Sequence, residues 1–117
     1  MRFIMLTRRN DQKLEFDYAK VTEKSKENPV FYVQYAHARA CSVLRQNPDM
    51  GAELSAGGRL DDINEIRLIK HLVSWPSLVH SAAKLHEPHR ICFYLIELAD
   101  LFHSLWTAGR ENPELRF

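Results

Sequence analysis

A chain of 117 residues is the size of one domain and is long enough to bury a core. Its net charge of +1 excludes a polycation that holds nucleic acid through charge alone. The chain is 45% hydrophobic and 26% charged, and no stretch approaches the roughly 18–20 apolar residues of a membrane span, so the composition is typical of a soluble globular protein.

The positive charge is concentrated in the N-terminal part. Residues 1–48 contain nine Lys or Arg and five Asp or Glu, a balance of +4, and the remainder contains seven against ten, a balance of −3. Phosphate contacts are therefore expected from N-terminal basic side chains, unless these only solvate a helix surface. The candidates are Arg8, Arg9, Lys13, Lys20, Lys24 and Lys26.

The first predicted elements end at a proline. Residues 2–7 form a short apolar segment that resembles the end of an element. Asp17 is a suitable N-cap for a helix that runs to about Lys26. Pro29 suits the first turn of the next helix, which is predicted over about 29–46.

Three more helices are predicted after a long loop. The loop, 46–60, contains three of the four glycines and is expected to be mobile. Acidic residues and prolines then mark helix starts, and Gly109 is a natural residue to follow the last helix. The predicted helices start at Asp61-Asp62, at Pro76 and at about residue 88, and the last two run to Leu85 and to about 107.

No segment alternates with period two, so no strand is predicted. The predicted fold is all-α, a bundle of about five helices with one long loop (46–60). Apolar residues at three-to-four spacing are the candidate core. They are Val30, Val33, Ile63, Ile66, Ile69, Leu95, Leu98 and Leu105.

The helix over 29–46 carries more aromatic residues than one apolar stripe requires. Val30, Val33, Ala36 or His37, Ala40 and Leu44 already supply such a stripe. Tyr32, Tyr35 and Arg39 lie on a second face. Rings beside a fixed cation are suited to holding unpaired bases and their backbone. The alternative is that both tyrosines are core residues with hydrated hydroxyl groups.

Two segments resemble a known family. The run YVQYAHAR at 32–39 and the run FHSLW at 102–106 are similar to the C-terminal anticodon-binding domain of bacterial arginyl-tRNA synthetases, the helical module named after its D-A-L-R motif. The resemblance extends over essentially the whole chain, and the loop is its least distinctive part. It implies that residues 1–16 end the linker from the catalytic domain and that 17–117 are the anticodon-binding bundle, truncated at its C-terminus.

The resemblance also implies a function. The family attaches arginine to its tRNA with ATP, in the cytoplasm, and the HIGH-like and KMSK-like motifs of its catalytic domain do not occur here. This chain alone is therefore expected to be inactive and to have no catalytic residues, with ATP and arginine bound elsewhere and no cofactor here. The implied partner is an arginine-accepting tRNA, with no DNA and no membrane.

The resemblance assigns RNA-binding roles to aromatic and basic residues, with three polar residues in supporting roles. The resemblance implies a tyrosine at the position of Phe102, and any hydrogen bond that such a hydroxyl makes is absent here. Asn28 is also a plausible helix cap, and Gln34 and His37 could equally be internal polar links. The RNA-binding residues are Tyr32, Tyr35, Arg39, Phe102 and Trp106, and the supporting ones are Asn28, Gln34 and His37.

Other kinds of site have weaker support. His86 and His89 are separated by Pro88, so their rings need not share a face, and no metal site is predicted. Cys41 and Cys92 lie in apolar helical patterns typical of reduced core thiols. The alternative function is a helical protein-interaction or dimerisation module that lacks RNA binding and associates through a face left open at the truncated end.

Overall fold

The computed structural model describes residues 2–9, 11–13, 15–25, 27–46, 48 and 61–112. These ranges contain six α-helices and no strand, which confirms the all-α prediction. Apart from residues 46 and 48, the predicted long loop lies outside the described residues. The helices are α1 (Arg2–Leu6), α2 (Tyr18–Thr22), α3 (Pro29–Gln46), α4 (Ile63–Val73), α5 (Trp75–Leu85) and α6 (His89–Glu111).

Aspartates cap two of these helices, as predicted. The Asp17 carboxylate accepts a hydrogen bond from the Ala19 backbone N–H at 2.9 Å, and the Asp62 carboxylate accepts one from the Asn64 N–H at 2.7 Å. Each bond satisfies a donor that has no partner within its own helix. The caps therefore fix where α2 and α4 begin.

Helix α2 ends earlier than predicted, at Thr22 rather than near Lys26. The reason is the side chain of Asn28, whose amide nitrogen donates to the carbonyl oxygens of Val21 and Glu23 at 3.0 and 2.8 Å. These two bonds satisfy carbonyl groups at the end of α2. Asn28 therefore turns the chain from α2 into α3.

Helix α6 is longer than predicted. Gly109, the expected terminating residue, is buried inside the helix, which continues to Glu111. The cap is Asn112, whose backbone N–H donates to the Ala108 carbonyl at 2.8 Å. The glycine is therefore a site of close packing rather than a helix end.

The centre of the fold is α6, which packs against α3, α4 and α5. Three of the buried residues are alanines, which let neighbouring helices approach closely. The buried apolar residues are Ala36, Val43, Ala82, Cys92, Tyr94, Ala99 and Leu105.

The predicted core is correct only in part. Leu105 is buried, and five of the other candidates are half-buried: Val30, Val33, Ile66, Leu95 and Leu98. Ile63 and Ile69 are 55% and 38% exposed, so their prediction as core was wrong. In α3 the stripe runs through Ala36 and Val43, and Leu44 is 62% exposed. Periodicity locates an apolar face to within about one residue, and the neighbouring helix decides which side of it is covered.

Helix α6 is more apolar than the composition of the chain predicts. By length and composition alone, α6 could cross a membrane, and among the described residues it is the one helix that could. Its contacts with four other helices, α1 among them, account for its apolar character, because a central helix buries several faces.

A reciprocal pair of hydrogen bonds fastens α4 to α6. The Nε2 atom of His71 lies 3.1 Å from the Tyr94 carbonyl oxygen, and the Tyr94 hydroxyl donates to the His71 carbonyl at 3.1 Å. The two rings are stacked with centroids 4.1 Å apart, and burial raises the pKa of Tyr94. Tyr94 is thus a structural tyrosine on the side of α6 that faces α4.

Both cysteines are free thiols. Cys92 is buried, as predicted, and its thiol lies 3.8 Å from the Phe3 carbonyl oxygen of α1. Cys41 is only half-buried, so its prediction as a core thiol holds in part.

Candidate nucleic-acid interface

Helices α3 and α6 form a groove of about 310 Å³ that we call the aromatic groove. Four of its seven residues are aromatic rings and two are arginines. It is lined by Tyr32, Tyr35, Arg39, His103, Trp106, Thr107 and Arg110. The structure therefore brings four of the five predicted RNA-binding residues together on one wall.

The guanidinium of Arg39 lies between two rings from different helices. Its Cζ atom is 4.3 Å from the Tyr35 ring centroid and 4.8 Å from that of Trp106. A guanidinium is planar, permanently charged and attracted to the faces of aromatic rings. Arg39 thus holds the two rings in a fixed relation.

His103 accepts a hydrogen bond from the same arginine. Nη1 of Arg39 lies 3.3 Å from His103 Nδ1. Because a guanidinium can only donate, Nδ1 must accept, which selects the imidazole tautomer that carries its proton on Nε2. The His103 ring also lies 4.7 Å from the Tyr32 ring and 5.6 Å from the Tyr35 ring.

His103 is not among the predicted RNA-binding residues, although it stands in the FHSLW run. Its position three residues before Trp106 on a helix was the available signal, because such residues share a face. What the sequence could not show was that α3 places two tyrosines and an arginine around it.

Tyr35 combines exposure with support. It is 41% exposed, and its ring stacks on Phe31 with centroids 6.4 Å apart and planes at 2°. Its ring and that of His103 are inclined by 29°. Tyr35 therefore offers a ring to solvent while its neighbours hold its orientation.

Tyr32 is half-buried and uses its hydroxyl internally. That hydroxyl donates to Asp100 Oδ1 at 2.7 Å. Burial and the Asp100 carboxylate raise the pKa of Tyr32 to about 12. The phenol accordingly remains a hydrogen-bond donor at neutral pH.

Phe102 lies outside the aromatic groove. It lines an apolar groove of about 340 Å³ between α3, α4 and α6, beside Val33 and Leu98. Its ring centroid is 5.9 Å from His103 and 6.2 Å from Trp106. Phe102 thus contacts two residues of the aromatic groove without lining it. Its direct contact with RNA stays a prediction.

The predicted supporting residues also lie outside the aromatic groove. Asn28 is buried, and its side-chain oxygen accepts from the Val30 N–H at 3.1 Å, which makes it the cap of α3. Gln34 is exposed. His37 lines the apolar groove, with Nε2 3.6 Å from Cys41 Sγ.

A second groove, of about 440 Å³, adjoins the aromatic groove and shares Tyr32, His103 and Thr107 with it. We call it the acidic groove because the described residues that line it include two carboxylates, those of Asp100 and Glu111, and no Lys or Arg. It is lined by Tyr32, Asp100, His103, Ser104, Thr107, Ala108 and Glu111. The surface around Tyr32 and His103 is therefore cationic on one side and anionic on the other.

The N-terminal basic residues lie elsewhere. Arg8 and Lys20 line a groove of about 430 Å³ that also contains Glu15 and Asp17. Arg9 is paired with Asp11 at 3.3 Å. Lys26 is outside the described residues. Phosphate contacts from this region stay a prediction.

No group of three or more His, Cys, Asp or Glu side chains that could hold a metal ion occurs among the residues that the structure describes. His86 closes α5 in the left-handed conformation, with φ of 54°, and His89 begins α6. The two histidines therefore belong to different helical elements.

The chain is similar to known proteins over most of its length. The model of the DALR anticodon binding domain matches residues 33–113. Arginine–tRNA ligases of Rhodospirillum rubrum and Ehrlichia chaffeensis are 55% and 54% identical to this chain, over 100% of its length. The alignments cover 22% and 20% of those relatives, so the chain spans about a fifth of their length.

The fold is also similar to a solved structure. A crystal structure from Campylobacter jejuni, described as an arginyl-tRNA synthetase, superposes with a TM-score of 0.79 and 25% identity. The match covers 92% of this chain and 24% of the other.

Proposed function

This chain belongs to the DALR anticodon binding domain family, and we propose that it binds the anticodon loop of an arginine-accepting tRNA. The binding serves a cytoplasmic protein that attaches arginine to that tRNA with ATP. ATP and arginine bind parts of that protein outside this chain, and the residues of this chain hold no cofactor and perform no catalysis. The names of the relatives support the choice of arginine.

The observation that carries the proposal is the position of Arg39 between the Tyr35 and Trp106 rings, at 4.3 and 4.8 Å. The bases of an anticodon loop are unpaired, so they can be splayed out and stacked on aromatic side chains. Base–aromatic stacking contributes roughly 1–3 kcal/mol per base. Two rings beside a permanent positive charge are therefore suited to holding the unpaired bases of such a loop.

The alternative role as an ordinary core residue fits the geometry of Tyr35 less well. Tyr35 is 41% exposed, whereas the buried tyrosine of this fold, Tyr94, is 4% exposed. Stacking between Tyr35 and Phe31 also leaves Tyr35 in contact with solvent. An exposed ring held by its neighbours is suited to binding a base without reorganisation.

Filter binding with the complete protein tests the proposal. We expect the arginine-accepting tRNA to bind more tightly, by about tenfold or more, than the same tRNA with its anticodon loop replaced. Titrations at two salt concentrations separate this preference from the nonspecific electrostatic contribution, which weakens with salt. Equal affinity for both RNAs at both salt concentrations would refute anticodon binding.

The apolar groove supports a second candidate, a protein-interaction or self-association function. Its lining includes Leu72, which is 48% exposed, together with half-buried Leu68 and Leu95. Exposed apolar surface of this kind often marks an interaction site. Light scattering across a dilution series tests for a dimer, and Leu72→Glu should abolish it. A monomer at all concentrations would refute self-association.

A further inference from the structure

The charges around Tyr32 are divided in a way that RNA binding alone does not require. Arg39 and Arg110 line the aromatic groove, whereas Asp100 and Glu111 line the acidic groove beside it. Phosphate groups are attracted to the first side and repelled by the second. We therefore expect an RNA backbone to lie on the arginine side, with base edges directed towards Asp100.

The carboxylate of Asp100 is fixed and still able to accept hydrogen bonds. Tyr32 donates to its Oδ1 atom at 2.7 Å, and Asp100 is an exposed residue. An ionised carboxylate accepts at both oxygens, so Oδ2 keeps its capacity. Because the Tyr32 hydroxyl remains protonated, it donates to Oδ1 and holds the carboxylate in place. It leaves Oδ2 able to accept a hydrogen bond from another donor.

We propose that Asp100 determines base specificity by accepting a hydrogen bond from the exocyclic amino group of one base in the bound loop. The inference rests on the proposed tRNA binding and adds the chemical feature that is recognised. Cytosine, adenine and guanine each carry an amino group, whereas uracil presents carbonyl oxygens on either side of its one N–H. A carboxylate facing uracil meets those oxygens, which repel it. Asp100 thereby rejects uracil at one position of the loop.

The test replaces, one at a time, each amino-bearing base of the anticodon loop with uracil and measures binding to the complete protein. We expect the wild-type protein to lose about tenfold in affinity at the position that Asp100 contacts. Asp100→Asn should reduce that preference to about threefold or less, because its amide can donate to a uracil carbonyl as well as accept. Preferences at the other positions should stay unchanged.

A matched control removes the same charge from the same helix. Glu97 has a 70% exposed side chain and lies near His71 of α4, outside the aromatic groove and the acidic groove. Glu97→Gln should therefore leave every base preference unchanged. Tyr32→Phe, which keeps the ring and releases the carboxylate, should weaken the uracil discrimination less than Asp100→Asn does.

Two outcomes would overturn the inference while leaving tRNA binding intact. If Asp100→Asn strengthens binding of all transcripts by one common factor, the carboxylate only repels phosphate. If it changes no preference, Asp100 reads no base. If the wild-type protein does not distinguish the tRNA from its loop-replaced form, the proposed function fails as well, and the two failures are thus distinguishable.

Discussion

Tyr32 of α3 and Asp100 of α6 are joined by a hydrogen bond of 2.7 Å across the interface between the two helices. Partial burial and this bond raise the pKa of Tyr32 to about 12, from its ordinary value of 10.0. The hydrogen bond links the aromatic groove to the carboxylate beside it, and its effect on the pKa of Tyr32 can be measured by titration.

We expect Tyr32 to ionise near pH 12. The ionisation can be measured through the ultraviolet absorbance of the phenolate. Because the folded-state pKa is the higher one, the stabilising contribution is complete below pH 10 and is lost as the pH rises through 12. Asp100→Asn should bring the midpoint closer to 10, since the anion disfavours a second negative charge. A midpoint near 10 in the wild-type protein would contradict the hydrogen bond.

Removing the Tyr35 ring should weaken binding of the arginine-accepting tRNA by about tenfold or more, the loss expected of one stacking platform. The fold should persist, because Tyr35 is 41% exposed. The measurements are filter binding and a thermal melt of Tyr35→Ala. Phe93→Ala is the control, since Phe93 is on α6, 47% exposed and outside both grooves. A collapsed melt for Tyr35→Ala would instead favour a core role.

Arg39→Lys keeps the charge and loses the planar group that lies between Tyr35 and Trp106. We expect tRNA binding to weaken by roughly five- to tenfold, because an ammonium cannot stack on two rings and donate to His103 at once. The salt dependence of binding should be unchanged, since the number of cations is the same. Wild-type affinity in Arg39→Lys would show that only the charge matters.

Asn28→Ala should destabilise the fold by about 1–2 kcal/mol, because it removes a helix cap and two further hydrogen bonds. The lost partners are the Val30 N–H and the carbonyl groups of Val21 and Glu23. Urea unfolding measures the loss. Affinity for tRNA at low temperature should be unchanged in the folded variant. A selective loss of affinity with normal stability would restore Asn28 as an RNA contact.

Tyr94→Phe should cost about 1 kcal/mol of unfolding free energy, the value of one hydrogen bond. The hydroxyl that it removes donates to the His71 carbonyl at 3.1 Å on the α4 side of α6. Urea unfolding should register the change and filter binding should not. Weakened tRNA binding would mean that the two sides of α6 are coupled.

Local signals in the sequence predicted the helices well. The Asp17 and Asp62 caps act through hydrogen bonds to residues two or three positions away, and Pro29 acts through its own fixed φ angle, so the effect of each is readable from the chain. The end of α2 was misplaced because it depends on Asn28, several residues further on. The local pattern predicts Gly109 as a helix terminator, because the close packing of this residue inside α6 leaves no signal in the neighbouring sequence.

For the candidate site, the sequence alone determined the inventory: two tyrosines and an arginine at helical spacing on one face of α3, with an aromatic near the end of the last helix. Only the tertiary structure decided that His103 accepts a hydrogen bond from Arg39 and that Asp100 accepts one from Tyr32. It also decided that Phe102 lines the apolar groove. The physical reason is range. Helical periodicity follows from bonds between residues three or four apart, whereas the partners of a side chain depend on how α3 and α6 cross.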